Sequence, residues 1–377
     1  MDQATTLVVI DPLSELLARQ ASDQAAEKAP PVLIPDGVYF GLPEEIYHAD
    51  PALGSTNIKD LRKSAPDYWW TSVHNPNRPT REDKAHHVFG RAVHKIVLEG
   101  VEPFLALYER EIEDALKTDA DLVAWFAERG VTKLPRSKSA KVALALEIDP
   151  SVAIADDIKA RAEAAGRTIL KAEDYDRIVG AAAAIAENEE LATAFQNGQP
   201  EVSIFWTIEV DGVPVRLKAR FDYLKIRGVG DLKSFRNSAE VSIEEATPLA
   251  IAKFGYDVQG KHYLNGRAKL PELVRAGRVW NHPDHAPIDQ AWLERVASAE
   301  TFGFQWVFFQ SEKSPAVDSL TLSLENEICL IAQYQIDQAL SNYVRFVKRF
   351  GFDRPWREAA QIRELDISHL PAWYARR

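Results

Sequence analysis

The sequence predicts an α/β fold, and three observations support this prediction. From Glu201 to Phe235 apolar side chains alternate with polar ones, and this period of two is typical of β-strands. Before this stretch, "IVGAAAAIAENEELATAF" has the apolar spacing of a helix, and after it "LENEICLIAQYQIDQALSNYVRFVKRF" repeats that spacing over a greater length. We therefore expect a strand-rich centre between helical segments.

The chain divides into three stretches of different composition. We expect residues 1–35 to form a flexible N-terminal tail, because "AAEKAPPVLIPDG" is dominated by alanine, proline and charge. Residues 36–377 should form a single domain, in which residues 105–195 are a mostly helical insertion. With 46% apolar residues, the chain can bury a substantial core.

The charge distribution restricts where a polyanion could bind. The net charge of −11 argues against a protein that coats nucleic acid along its whole surface. The stretch 216–236 has seven basic and two acidic residues, a balance of +5, so the remainder carries −16. An acidic body with one basic strip predicts that a polyanion would bind in one place.

Several features predict a cytoplasmic protein. A single cysteine, Cys329, can form neither an internal disulfide nor a cysteine-based zinc site. No apolar run reaches the ~18 residues of a membrane helix. The start, "MDQATTLVVIDPLSELLARQ", lacks the order of basic and apolar residues that is typical of a signal peptide.

Three strands are predicted in the centre of the chain, namely "EVSIFWTIEV", "VPVRLKARFDYLKI" and "VGDLKSF". The dipeptides Asp211-Gly212 and Arg227-Gly228 separate them, and Asp-Gly is a strong signal for a two-residue hairpin turn. With two-residue turns, the first two strands pair apolar with apolar residues, from Val202 opposite Phe221 to Ile208 opposite Val215. A slip of one residue would mix the apolar and polar faces, so the pattern favours this register.

The same register gathers charges on the opposite face of the predicted hairpins. Across the second turn Asp222 would face Lys233, and Leu224 would face Asp231. Six charged residues then share one face: Glu201, Lys218, Arg220, Asp222, Asp231 and Lys233. Facing Cβ atoms in neighbouring strands are ~5 Å apart, which suits carboxylates that share a divalent ion. The alternative is a solvated strand edge, but like charges placed this close repel one another.

Two carboxylates next to a lysine have a chemical use. Hard oxygen ligands bind magnesium, which also accepts phosphate oxygens and can activate a bound water. A lysine beside the ion can orient that water or stabilise developing negative charge. The basic side chains nearby, Lys218, Arg220 and Arg236, are candidates for binding the phosphates of a DNA backbone.

At this point the sequence resembles the PD-(D/E)XK nucleases. Their core has an acidic residue on a hairpin followed by acid-x-Lys one strand later, matched here by Asp222 and by Asp231-Leu232-Lys233. The proline-aspartate dipeptide of the family name is absent, since Phe221 precedes Asp222.

Two helices make the resemblance more specific. "FGRAVHKIVLE" is similar to the Gly-x-x-x-His helix of the RecB-like and exodeoxyribonuclease VIII-like groups, and its histidine corresponds to His94. "YDVQGKHYL" resembles their Gln-x-x-x-Tyr helix, matched by Gln259 and Tyr263, which lie one turn apart on a helix. The segments "LPEEIYHADPALGSTNIKDLRKSAPDYW" and "RPWREAAQIRELDISHLPAWY" are also similar to RecE-type phage and prophage nucleases, so the likeness spans roughly residues 36–377.

The resemblance implies a restriction-endonuclease-like core, with a mixed central sheet flanked by helices. It implies that His94, Asp222, Asp231 and the backbone carbonyl of Leu232 hold Mg²⁺, with Mn²⁺ as the alternative ion. Glu201 is added to this set by the register argument alone. The catalytic residues would be Asp222, Asp231, Lys233, Gln259 and Tyr263; of these, Lys233 would serve the attacking water, and Gln259 and Tyr263 would position the DNA end or support the site.

The implied function is a metal-dependent exodeoxyribonuclease, bacterial or phage-encoded, that degrades one strand of duplex DNA from its 5′ end. Its partners would be double-stranded DNA ends and a single-strand annealing protein of phage-type recombination, and the protein would be a homo-oligomer. Two alternatives remain open. One is another RecB-like repair nuclease or an endonuclease on the same fold, and the other is a catalytically inactive protein that binds DNA ends.

Overall fold

The computed structural model of the chain describes residues 33–79, 85–360, 362–371 and 374. All but the last three residues of the tail expected over residues 1–35 lie outside the described residues. In the described part, no helix is long and apolar enough to cross a lipid bilayer.

Nine strands are present in the described part. They are β1 Gly37–Phe40, β2 Tyr108–Arg110, β3 Thr168–Leu170, β4 Gln199–Val210, β5 Val213–Lys225, β6 Gly228–Phe235, β7 Val279–Asn281, β8 Gly303–Gln310 and β9 Val317–Ser323. Seven of them form one sheet in the order β7-β1-β4-β5-β6-β8-β9. The β1–β7 and β6–β8 pairs are parallel and the others antiparallel, so the sheet is mixed.

Thirteen α-helices accompany the strands in the described residues. They are α1 Glu44–Ala49, α2 Ser55–Lys63, α3 Ala65–Thr71, α4 Ala85–His94, α5 Val101–Leu107, α6 Asp119–Glu128, α7 Lys138–Ile148, α8 Ala155–Ala164, α9 Ala172–Glu187, α10 Ile243–Phe254, α11 Tyr256–Arg275, α12 Gln290–Ser298 and α13 Glu327–Phe350. A π-helical turn, Lys95–Glu99, continues α4. A short 3₁₀ turn, Ile367–His369, lies near the C-terminus.

Helices cover both faces of the large sheet, which confirms the predicted α/β class. On one face α2, α3 and α10 to α13 bury a large apolar core against the strands. On the other face α4, α5 and α9 bury a second core with Leu232, Val307 and Phe309. The stretch 105–195 contains the small β2–β3 sheet, and around α6 and α7 it has an apolar cluster of its own.

The pairing of β4 with β5 confirms the predicted register. Val202 lies opposite Phe221 and Ile208 opposite Val215, with every intermediate pair in step. The alternation of side chains decides this register, since one face must enter the core.

The pairing of β5 with β6 differs from the prediction by two residues. Lys225 pairs with Gly228 and Leu224 with Val229, so Ile226 and Arg227 form the turn instead of Arg227 and Gly228. The predicted Asp222–Lys233 and Leu224–Asp231 pairs are therefore wrong. The predicted face is wrong as well. Leu232 lies in the second core, so Asp231 and Lys233 point to the opposite side, towards α11, and not to the face of Lys218 and Arg220.

Arg267 of α11 holds this turn in place. Its side chain is fully buried, and Nη2 donates to the carbonyl oxygens of Ile226, at 2.9 Å, and Val296, at 2.6 Å. The guanidinium carbon lies 4.7 Å from the centre of the Phe302 ring. Burial lowers the pKa of Arg267 to about 10. The group remains charged at neutral pH, and it links the turn to the last turn of α12.

The helix that follows β6 ends at a glycine. Proline often breaks a helix, but Pro248 lies inside α10. The chain turns at Gly255, which has φ of +63°, a left-handed conformation that favours glycine because it has no Cβ. This corner separates α10 from α11 and sets the direction of α11.

A buried histidine lies between α11 and the sheet. Nε2 of His262 is 2.9 Å from the carbonyl oxygen of Lys218, and the imidazole packs 5.1 Å from the Trp206 ring. Within the described residues Nδ1 has no hydrogen-bond partner. Burial lowers the pKa of His262 to about 4, so the imidazole is neutral and donates from Nε2.

This histidine should make folding sensitive to acid. The unfolded chain binds a proton at the ordinary pKa of about 6.5, while the folded protein resists protonation until about pH 4. Its stabilising contribution is therefore complete above pH 6.5 and is lost as the pH falls towards 4. One pKa unit corresponds to about 1.4 kcal/mol, so we expect a loss of about 3 kcal/mol from this group. Urea titrations of the wild type and His262→Phe between pH 7 and pH 4 measure the loss, which should be smaller in the variant; parallel pH profiles would contradict the assignment.

Candidate active site

A buried ion pair lies in the middle of β6. Asp231 is fully buried, and its Oδ2 is 2.5 Å from Nζ of Lys233. Within the described part this ammonium group is the only partner of Oδ2. Oδ1 accepts a hydrogen bond of 3.0 Å from Nε2 of Gln259 on α11. A carboxylate oxygen is thus held in the interior with an incomplete set of donors.

The charges of this pair follow from their surroundings. Burial raises the pKa of the Asp231 carboxyl, against the opposing effect of Lys233. Burial alone would lower the pKa of Lys233, but the carboxylates of Asp231 and Asp222 outweigh it and raise that pKa. The lysine therefore stays protonated and provides a cation at the buried carboxylates.

Asp222 joins the pair from β5. Its Oδ2 accepts a 2.8 Å hydrogen bond from the backbone N–H of Leu232, the residue between Asp231 and Lys233. This bond fixes the Asp222 carboxylate against the neighbouring strand, beside the ion pair. The side chain is 11% exposed, so a solvent path reaches this carboxylate but not that of Asp231.

His94 approaches from the opposite face of the sheet, at the last residue of α4. Its Nε2 lies 3.2 Å from the carbonyl oxygen of Leu232 and 3.8 Å from Oδ2 of Asp222. Burial alone would lower the pKa of His94, but the carboxylates of Asp222 and Glu201 outweigh it and raise the pKa to about 9. The imidazole is therefore protonated at neutral pH and adds a second cation. The π-helical turn begins directly after it, as often occurs at functional sites.

Glu201 lies beside the site through His94. Its Oε1 is 3.7 Å from Nδ1 of His94. The backbone of Glu201 has φ of 52°, in the left-handed region, where the β4–β5 ladder becomes irregular. Phe221 and Leu224 of β5 both enter the same core, so the strict alternation of side chains is broken at Asp222. This irregularity brings Asp222 to the side of Asp231.

Two further residues of α11 line the acidic pair. Gln259 donates to Asp231, and Tyr263 lies one turn further along the same helix. The Tyr263 ring packs against Phe221, at 5.8 Å, and Phe304, at 6.0 Å, and burial raises its pKa. Gln259 thus contacts the carboxylate directly, while Tyr263 packs in the core on the same helix.

The expected DNA contacts of Lys218 and Arg220 require correction. Lys218 is 5% exposed, and its Nζ donates to the carbonyl oxygens of Tyr47 and Asp50, each at 2.7 Å. Arg220 donates to the carbonyl of Leu42 and to Oγ of Ser203. The break in alternation at Asp222 separates both from the Asp231 face, and the α1 segment covers them. They hold that segment on the sheet.

Arg236 lies in a different environment. It follows the last residue of β6, its side chain is 73% exposed, and Nε forms a 3.0 Å ion pair with Glu312. A phosphate contact by Arg236 stays a prediction.

The side chains at the site are suited to a hard cation but are not arranged as a finished coordination shell. Among the described residues, no group of three or more His, Cys, Asp or Glu side chains is placed to hold a metal ion. The donors that the resemblance implies are nevertheless neighbours, since His94 contacts both Asp222 and the Leu232 carbonyl. The buried Oδ2 of Asp231 has Lys233 as its only partner in the described part, and His94 is a second cation beside the carboxylates. Both observations indicate a centre that attracts positive charge. A divalent ion fits this donor set if it replaces the contacts of His94 and Lys233 with the acids.

The sequence did not predict that Lys59 lies near the site. It lies on α2, and its Nζ donates to the Phe254 carbonyl and is 5.8 Å from the ring of Tyr256, which in turn is 5.5 Å from Nζ of Lys233. These contacts join segments far apart in the chain, and neither periodicity nor spacing encodes them.

Comparison with known proteins adds little to this geometry. No protein-family model matches the sequence, and no curated protein matches it significantly. A solved structure from Eubacterium rectale, described as a "Putative exonuclease", is 13% identical, with a TM-score of 0.42 over 85% of this chain and 93% of that one. The protein SSO0001 is 13% identical, with a TM-score of 0.23 over 68% and 88% of the two chains. Both TM-scores are too low to support an argument, so the site must be interpreted from its own contacts.

The contacts of Lys218 and Arg236 predict effects on stability of very different size. Lys218→Met removes two charge-assisted hydrogen bonds inside the fold and should lower the free energy of unfolding by about 3 kcal/mol. Arg236→Ala removes one exposed ion pair and should change it by less than about 0.5 kcal/mol. Urea denaturation of both variants measures the difference. Equal stability of the two would mean that Lys218 does not hold the α1 segment.

Proposed function

We propose that this chain is a metal-dependent deoxyribonuclease. The observation that carries the proposal is the convergence of Asp222, Asp231 and Lys233 from two adjacent strands, with His94 facing them from the opposite side. Burying two carboxylates close together is unfavourable without compensating cations. Such an arrangement is expected where a protein must bind a cation and act on an anion.

The ion proposed for the site is Mg²⁺, with Mn²⁺ as the alternative. It would be held by His94, Asp222, Asp231 and the Leu232 carbonyl, with Glu201 behind His94. Bound there, it would polarise a phosphodiester and lower the pKa of a bound water.

The chain's own residues have separate parts in the proposal. Lys233, whose ammonium group lies beside Asp231, would orient the attacking water or stabilise charge on the phosphate. Gln259 would keep the Asp231 carboxylate in one orientation through its hydrogen bond, and Tyr263 would support the site from the core. Arg236, exposed at the end of β6, would contact the DNA backbone.

The finer parts of the proposal come from the sequence resemblance. They are degradation of one strand of linear duplex from its 5′ end, a homo-oligomeric assembly, and delivery of the remaining strand to an annealing protein in phage-type recombination. The motif order, from His94 through Asp222 and Asp231-x-Lys233 to Gln259 and Tyr263, supports this branch over other nucleases.

One observation favours the inactive alternative, a protein that binds DNA ends without cutting them. Lys233 and His94 already neutralise the acids, and in the described part of the chain no three metal-binding side chains form a ready site. A metal titration separates the two functions, because the inactive protein does not need the ion.

Replacing Asp222 should weaken metal binding. Asp222→Asn removes one charged oxygen ligand but keeps an acceptor for the Leu232 N–H, so the fold should be retained. We expect Mg²⁺ to bind at least about tenfold more weakly, measured by calorimetry without DNA. Glu209→Gln is the matched control, because Glu209 is an exposed carboxylate of the same sheet. Equal affinities of Asp222→Asn and wild type would exclude Asp222 as a ligand.

Cleavage should depend on the buried pair. With Mg²⁺, the wild type should degrade linear duplex, release a 5′ label early and a 3′ label late, and leave closed circular DNA intact. Asp231→Asn and Lys233→Met should lower this rate by about a hundredfold or more, since each removes a charge that acts on the reacting groups. Gel analysis of end-labelled duplexes measures both rate and direction.

Two controls and three outcomes make this assay decisive. Glu209→Gln and Lys225→Met, on the same pair of hairpins, should cleave at the wild-type rate, and cooperative unfolding of every variant would show retained structure. Wild-type rates in Asp231→Asn or Lys233→Met would refute the mechanism. Cutting of the circle would assign an endonuclease, and early loss of the 3′ label would reverse the polarity.

A further inference from the structure

A cavity of about 490 Å³ lies beside the proposed catalytic residues, where α10 meets α11 and β6 ends. Its lining includes basic, aromatic and amide side chains: Arg236, Asn237, Lys253, Phe254, Tyr256 and Lys313. A cavity of this volume is in the range of pockets that bind small ligands.

The left-handed turn at Gly255 shapes this corner. Phe254 ends α10 and Tyr256 begins α11, and their rings are 5.6 Å apart at an angle of 38°. A Cβ on Gly255 would lie 3.1 Å from Cδ of Lys59, so a larger residue would also disturb the neighbouring helix. The Phe254 side chain is 46% exposed, although a phenyl ring is normally buried in a core. An exposed ring at the mouth of a polar cavity is available for stacking.

Tyr256 connects the cavity to the active site. Its ring lies on the cavity wall and is also 5.5 Å from Nζ of Lys233. A ligand in the cavity would therefore be one aromatic ring away from the lysine proposed to act on the phosphate. The separation suits neighbouring parts of one nucleic-acid strand.

The cation nearest to the Phe254 ring differs from the other cations of the cavity lining, which form ion pairs with glutamates. Arg236 pairs with Glu312, and Lys313 pairs with Glu240. Lys253 is exposed, its Nζ lies 5.4 Å from the Phe254 ring, and among the described contacts it has no carboxylate partner. Nζ of Lys59 contacts the Phe254 carbonyl oxygen at 3.1 Å. Positive charge is thus concentrated at the exposed aromatic ring.

The opposite wall offers a hydrogen-bond acceptor. Nδ2 of Asn237 donates to the Val241 carbonyl at 2.7 Å, while its Oδ1 is buried and has no hydrogen-bond partner within the described part. Buried polar atoms without a partner are uncommon in proteins. An N–H or O–H group of a base or sugar would satisfy it once the Asn237 side chain turns towards the cavity.

We infer that this cavity binds a nucleotide of the DNA strand adjacent to the cleaved phosphodiester, with its base on Phe254 and its phosphate at Lys253. The inference rests on the proposed function and adds a substrate subsite to it. Stacking on an aromatic ring accepts any base, because every base has a π-face. The subsite therefore provides strand binding without sequence preference.

The test measures DNA binding without cleavage. The probe is a 5′-phosphorylated duplex with a short single-stranded 5′ end carrying a fluorophore, titrated with protein in EDTA and followed by anisotropy. Phe254→Ala should weaken binding about tenfold, within the range measured for loss of one base–aromatic stack. Phe254→Trp should bind like the wild type, since tryptophan also stacks. Lys253→Gln should weaken binding and reduce the salt dependence by about one phosphate contact.

Tyr334→Ala is the matched control, because Tyr334 is 64% exposed on α13, outside the cavity lining. It should bind the probe like the wild type. Competition with a free deoxynucleoside monophosphate identifies the source of the nucleotide. Displacement of the probe would support a subsite that also retains the released product, and persistence of the complex would support one that holds only a strand.

The possible failures are distinguishable. If the wild type binds and cleaves DNA but Phe254→Ala and Lys253→Gln bind as tightly as it does, the subsite is refuted and the proposed nuclease stands. If the wild type neither binds nor cuts DNA, the proposed nuclease activity and the proposed subsite are both refuted. A loss in Tyr334→Ala equal to that in Phe254→Ala would also refute the subsite, because exposed aromatic residues in general would then account for binding.

Discussion

A buried carboxylate beside a partly buried ammonium group is the constraint on which the arrangement of this molecule depends. Charges taken out of water are strongly destabilising unless partners surround them. Asp231 and Lys233 meet this requirement with help from two other elements, Gln259 on α11 and Asp222 on β5. His94 on α4 then offsets the charge of Asp222. The sheet and both helical layers thus meet at one set of charges, and movement of any of them would leave a charge without its partner.

Much of the central sheet could be predicted because local rules determine it. The β4–β5 pairing followed from the alternation of apolar residues and from the Asp211-Gly212 turn. The β5–β6 pairing was wrong by two residues, because Ile226 and Arg227 carry no turn signal of their own. A shift of two alone would have kept each side chain on its predicted face. The break in alternation at Asp222 instead places Asp231 and Lys233 on the face opposite to that of Lys218 and Arg220.

Other parts of the fold depend on contacts that no local pattern encodes. The parallel β6–β8 pair joins strands separated by three helices, and no turn sets its register. The break in alternation at Asp222 involves Glu201 across the ladder, so the sequence of β5 alone does not show it. Lys218 was misjudged for a related reason. Its strand position was clear, but the carbonyl groups that cover it come from the distant segment around Tyr47. A basic strip in sequence is therefore not always a basic surface.

The buried guanidinium of Arg267 stabilises the fold without being part of the candidate active site. It fastens the Ile226 turn, and hence the register of β6, without touching any carboxylate of the site. Among the described residues no acidic side chain pairs with Arg267, so its contribution depends on backbone oxygens that only the folded chain brings together. Substitutions at Arg267 should therefore give temperature-sensitive variants. Such variants would fold at low temperature and unfold when warmed, although every residue of the candidate site is unchanged.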